Sequence, residues 1–127
     1  MRRGFAMTEV LISAAILITG ITVAVEVQAM MSRSAAAQRR FVTANEVAEQ
    51  TLERLLVLFA GSASLRPGLH DGPSYDIGGV PAADGIFTTS WTVVGDTPVL
   101  GVRRVTVEVR WRDFGRDRQV VLTTFRS

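Results

Sequence analysis

Apolar residues are laid out along this chain in three different ways. From Val10 to Val25 they run unbroken by any charge, and extending the stretch back over Glu9 to Phe5 admits a single one. Residues 5–25 would span roughly 31 Å as a helix, the thickness of one hydrocarbon core. From Glu26 to Ala60 apolar positions recur at helical spacing, at Val27, Met30, Ala37, Phe41, Ala44, Ala48, Leu52, Leu55, Leu56 and Phe59. The opposite face carries Arg33, Gln38, Arg39, Asn45, Glu46, Glu49, Glu53 and Arg54, and no Gly or Pro interrupts the segment. Beyond Gly85 the period changes to two. Val105, Val107, Val109 and Trp111 alternate with Arg104, Thr106, Glu108, Arg110 and Arg112, as in a half-buried strand.

These patterns predict a helix over residues 5–60, roughly 84 Å at the standard rise, followed by a small sheet. Gly61 is the expected C-terminal cap. Residues 61–85, with six Gly and three Pro, read as a loop. Three strands are then expected at Ile86–Val94, Val102–Arg112 and Arg118–Phe125, with turns at Gly95–Pro98 and Asp113–Asp117. Five of the six Glu precede Gly61 and all six Asp follow it, as their preferences for helices and for turns require. The fold class expected is α+β: a long N-terminal helix packed on a small antiparallel sheet that is too marginal to stand alone.

Composition narrows the chemistry. The chain has 127 residues, one domain's worth, and no Cys, which excludes disulfides, zinc fingers and a cysteine nucleophile. All 14 basic residues are Arg, so Schiff-base and P-loop chemistry have no lysine. A net charge of +2 is a small surplus for an anionic partner. Arg2 and Arg3 precede the apolar run, and the positive-inside rule puts the N-terminus in the cytoplasm and the body across the membrane.

His70, Asp71 and Ser74 resemble the parts of a hydrolytic triad, yet no nucleophile elbow accompanies them; a solvated loop histidine is expected. Asp71, Asp76 and Asp84 fit no EF-hand spacing and are read as turn residues. Neither a cofactor nor a catalytic residue is expected. The arginines Arg103, Arg104, Arg110, Arg112, Arg116, Arg118 and Arg126 form one patch suited to an anion or a partner, with Arg104, Arg110 and Arg112 on its alternating face. Alternate arginines also keep an exposed sheet from pairing at its edge, so nucleic acid is not the expected partner.

The most informative stretch is the N-terminus. A carboxylate at Glu9, inside a membrane span, costs about 2.5–3.5 kcal/mol on insertion scales and calls for a partner. A cut after Gly4 would free an amine on Phe5, four residues from Glu9 and on the same helix face. Between staggered helices, that amine would neutralise the Glu9 of a neighbouring chain and reward one register.

Met-Arg-Arg-Gly followed by Phe-Ala-Met-Thr-Glu-Val-Leu-Ile resembles the class III signal of type IV prepilins and of type II secretion pseudopilins. The rest of the chain is similar in architecture to those proteins: a spine helix, an αβ loop and an antiparallel sheet. The resemblance implies a leader at residues 1–4, with cleavage between Gly4 and Phe5 by a prepilin peptidase and N-methylation of Phe5. It implies a docking role for Glu9 among the helices of other major and minor pilins or pseudopilins. Residues 5–25 would form the transmembrane and filament-core half of the helix, with Gly20 as its melting point. Residues 26–60 would form the amphipathic half, 61–85 the αβ loop and 86–127 the sheet head. The protein would reside in the inner membrane with its head in the periplasm, then in a filament, at its tip.

The absence of Cys, the absence of Pro in the apolar half and the small head suit a minor subunit, similar to V-type minor pilins or I-type minor pseudopilins. The expected function is priming or capping of a type IV pilus. A type II secretion pseudopilin is the alternative. Readings of another class are a DNA-binding subunit of an uptake filament, or a periplasmic protein on an ordinary signal anchor with a small-residue site at Ala35-Ala36-Ala37.

Overall fold

The computed structural model describes the backbone of residues 2–127 and the side chains of residues 6–127. The helical period is realised as one element, α1 (Arg2–Val57). It stops short of Ala60, and Gly61 is not its left-handed cap: the glycines with positive φ are Gly68, Gly79, Gly101 and Gly115. The chain instead leaves the helix through a turn in which the Ser62 amide donates to the Phe59 carbonyl at 2.8 Å. Two compact units divide the chain, Met1–Ala37 and Gln38–Ser127.

In the second unit a short 3-10 turn (Ala63–Leu65) follows the helix. Four antiparallel strands come next, β1 (Gly68–Tyr75), β2 (Phe87–Val94), β3 (Arg103–Asp113) and β4 (Arg116–Arg126), ordered β1-β2-β3-β4 in one sheet. Three of them match the expected strands, with β3 and β4 reaching closer to their shared turn. The first corrects the sequence reading, because β1 lies inside the segment taken as a loop. Its Gly and Pro content conceals it from any propensity argument, yet it pairs with β2 from Gly68↔Val93 to Tyr75↔Phe87, with a shift of register between Asp71 and Ser74. Gly72 sits at that shift. A Cβ there would lie 2.4 Å from Thr89 Oγ1 and 2.9 Å from the Trp91 ring, so glycine permits the approach that lets Thr89 donate to the Pro73 carbonyl at 2.6 Å.

The β3–β4 hairpin turns on Phe114 and Gly115, whose φ values are 45° and 76°. Two left-handed residues are what a tight two-residue hairpin needs, and here a phenylalanine supplies one of them. The core lies between α1 and the inner face of the sheet. Val105, Val107, Val109 and Trp111 of β3, Phe87 and Val93 of β2 and Val120 of β4 meet Ala44, Val47, Ala48 and Leu55 of the helix. Ala44 and Ala48, one turn apart and fully buried, bring the helix backbone close to the sheet. The apolar stripe is narrower than its sequence suggests, since Phe41, Leu56 and Phe59 are exposed. Thr51 is buried in the same row, its hydroxyl donating to the Val47 carbonyl at 2.8 Å.

Candidate functional site

The first candidate is the N-terminal half of α1. Val10, Leu11 and Ile12, and again Ile16, Leu17 and Ile18, are consecutive, and three consecutive helical residues cover most of the circumference. All six are exposed, by 56–68%. Mean hydropathy over the most apolar window is 2.3, with none of it buried. This helix is long and apolar enough to cross a membrane and is compatible with a membrane anchor. Its hydroxyls suit that environment: Thr19 and Thr22 donate to the carbonyls of Ala15 and Ile18 at 2.8 and 2.9 Å, satisfying polar groups within the helix itself. Glu9 is exposed and borders a shallow recess with Thr8, Ile12 and Ser13. The helix runs through Gly20 without a break. The side chain of Phe5, like the whole of the expected leader at residues 1–4 with its cleavage point at Gly4, lies outside the described side chains.

The arginine patch separates into groups with different tasks. Arg103 and Arg126, neighbours in the β3–β4 register, turn to the helix side. Arg126 donates to the Leu55 carbonyl at 2.8 Å and Arg103 to the Ala60 carbonyl at 2.6 Å. Leu55 is among the last residues of α1, whose carbonyls lack helical partners, and cations at that end also meet the favourable end of the helix dipole. The sheet thus caps the helix where no glycine does. On the outer face Arg110 is paired with Glu108; the hydrogen bond to that carboxylate, with its charge, raises the guanidinium above its ordinary pKa. Arg112 lies 3.9 Å from Asp117, both exposed. Among the described residues Arg104, Arg116 and Arg118 have no ion pair.

A second cluster was not singled out from the sequence. Arg40 Nη1 donates to Asp113 Oδ1 at 2.5 Å, where the carboxylate is 4% exposed. The guanidinium carbon stands 5.3 Å from the centroid of the Phe114 ring. Phe41 tilts against Trp111 at 6.4 Å, and Trp111 meets Phe87 edge-on at 5.7 Å. Together they clamp the β3–β4 hairpin to α1. A signal was available: Asp113 continues the inward parity of Val105, Val107, Val109 and Trp111, so the alternation itself aims a carboxylate at the helix, where it needs a cation.

The triad is not assembled. His70 and Asp71 are adjacent in β1 and face opposite sides of the sheet. His70 is not a solvated loop residue: its ring stacks on Trp91 at 5.7 Å and its Nε2 donates to the Arg66 carbonyl at 2.8 Å. Asp76 accepts from the Gly78 and Val80 amides, both at 2.9 Å, a turn role. Among the described residues no three His, Asp or Glu side chains gather as a metal would need.

The fold defines a class: an α+β protein with one long N-terminal helix on a four-stranded antiparallel sheet, an arrangement consistent with a pilin-like fold. Compared with family models, curated proteins and solved structures, the chain matches none.

Proposed function

We propose that this chain is a minor filament subunit of the type IV pilin class, held in the inner membrane by residues 5–25 until it enters a filament. The observation that carries this reading is a helix apolar around its whole circumference, exposed throughout and bearing one carboxylate at Glu9. A membrane covers such a surface before assembly, and the equivalent helices of other subunits cover it afterwards. Glu9 makes the second environment selective. In a low-dielectric bundle its charge is costly unless a cation meets it, and the amine freed on Phe5 by cleavage after Gly4 is the cation at hand.

The body is small, with its buried side chains committed to packing, so the reading gives the chain no catalytic step of its own. It is a substrate of a peptidase and an N-methyltransferase. A nucleic-acid role is not carried forward, because Arg103, Arg126 and Arg110 already serve carbonyls and a carboxylate within the head.

Mass spectrometry of the mature chain is expected to find N-methylated Phe5 at its start; a mature start at Gln38 would refute the reading in favour of an ordinary signal. Glu9→Ala is expected to leave the protein membrane-inserted and absent from sheared filaments, and normal incorporation would remove the docking role. The same modification with recovery in a secretion pseudopilus instead of a surface pilus would assign the subunit to the type II system.

A further inference from the structure

The two edges of the sheet are treated differently. At β1 the strand is short, interrupted by Pro73 and by the register shift between Asp71 and Ser74. Its far half is also covered by the chain folding back, with Tyr75 bridged to Pro81, the Ala82 amide on the Ser74 carbonyl and the Asp76 amide on the Val80 carbonyl. These are devices that blunt an edge. At β4 none of these is present, and the charges that could guard the edge are confined to its two ends, at residues 116–118 and 126. The strand has 11 residues without Gly or Pro and pairs with β3 in unbroken register from Arg103↔Arg126 to Asp113↔Arg116. Among the described residues no backbone group outside the sheet bonds to it. Its centre, Gln119 to Phe125, is uncharged and rich in β-branched residues, with Val121 and Phe125 exposed.

We infer that β4 is a site of strand addition, taking an extended segment of a different polypeptide that carries acidic residues at its two ends. A row of free amides and carbonyls supplies backbone bonds to any strand laid alongside; charge decides which one. β4 carries Arg116, Arg118 and Arg126 against Asp117, a surplus of 3 − 1 = 2 positive charges. A second copy meets like charges in its longest pairing. Keeping the two sheet faces aligned allows only registers that pair like parity with like. Centring on Val121, which pairs the whole of β4, sets Arg116 opposite Arg126 twice, and centring on Leu122 sets Arg118 opposite Arg126 twice; registers centred on Val120 or Thr123 escape this only by leaving part of the strand unpaired. A segment with Glu or Asp eight residues apart instead meets Arg118 and Arg126 in either direction, Arg126 keeping guanidinium donors beyond the one on the Leu55 carbonyl. Its intervening apolar positions would extend the inward row of Val120, Leu122 and Thr124. The β4 edge has this character whatever surrounds the N-terminal helix, so its test does not depend on filament assembly.

The probe is an acetylated, amidated nonapeptide of alternating Thr and Val with Glu at both ends, compared with the same peptide carrying Lys at both ends. Each is added to the full chain in detergent micelles, and amide hydrogen exchange is read by mass spectrometry. The Glu peptide is expected to slow exchange across residues 119–125 and to leave β1 unchanged, with the Lys peptide binding at least about tenfold more weakly. Arg118→Glu, at an exposed residue without an ion pair, is expected to abolish that preference while leaving the tryptophan fluorescence of the head unchanged. Three results would overturn the inference: no protection from the Glu peptide at millimolar concentration, protection at residues 68–75 instead, or protection of β4 that grows with the protein's own concentration when no peptide is present.

Discussion

At the scale of single residues, the contact between Arg40 and Asp113 matters most for the head, because it joins the helix to the far end of the sheet through a buried carboxylate. Removing one member of such a pair strands the other, and that penalty exceeds the net value of the pair itself. Asp113→Asn is expected to lower head stability by about 2 kcal/mol, since Arg40 keeps partial access to water. The double variant Arg40→Met, Asp113→Asn should lose less than the two single changes added together. Trp91 and Trp111 are the chain's two tryptophans, so a urea titration followed by fluorescence reports on the head alone. A single-variant loss below about 0.5 kcal/mol would show that the pair stabilises nothing.

This pair also marks how far residues are legible in a sequence. The parity of β3 points Asp113 inward, but nothing in the local pattern selects Arg40 over Arg39 as its cation. Only the helix rotation fixed by packing on the sheet makes that choice. The arginine patch is the converse case: composition gathers seven arginines, and the structure divides them between helix capping, carboxylate pairing and solvent.

Among elements, the long helix and β2 to β4 were readable because period and burial agree along each of them. β1 was not. Its residues are poor strand formers, and the strand exists because Gly72 and Gly85 admit close backbone approach. A Cβ on Gly85 would stand 2.2 Å from the Tyr75 carbonyl oxygen, a constraint no single-sequence pattern displays. The end of α1 was misplaced for a related reason, since its capping group, Arg126, lies 71 residues from Leu55 in the chain. Helix-to-sheet packing gives a sharper test. Ala48 is fully buried where α1 meets the sheet, so Ala48→Leu should overpack the layer and cost about 2 kcal/mol. Exposed Glu46→Ala on the same helix should stay within about 0.5 kcal/mol. Equal losses in the two variants would mean that the helix does not depend on this contact.

For the molecule as a whole, the distribution of apolar residues implies two separable stabilities. Every member of the hydrophobic core lies at Ala44 or beyond, within the unit Gln38–Ser127. Among the described residues, the large apolar side chains of the other unit are exposed, and none belongs to that core. Their burial is left to an environment outside the chain, a membrane or neighbouring helices. A fragment of residues 38–127 should therefore fold, with a urea midpoint in fluorescence matching that of the full chain in detergent, and should remain in the aqueous phase of a Triton X-114 separation. The full chain should enter the detergent phase. Loss of cooperative unfolding in the fragment would show that the head needs residues before Gln38, and a full chain left in the aqueous phase would contradict the anchor. Both outcomes are decided by residues that a hydropathy pattern alone assigns to one continuous helix. On the proposed reading the same element serves two solvents, and the change from one to the other falls inside α1, beyond the uncharged run that ends at Val25.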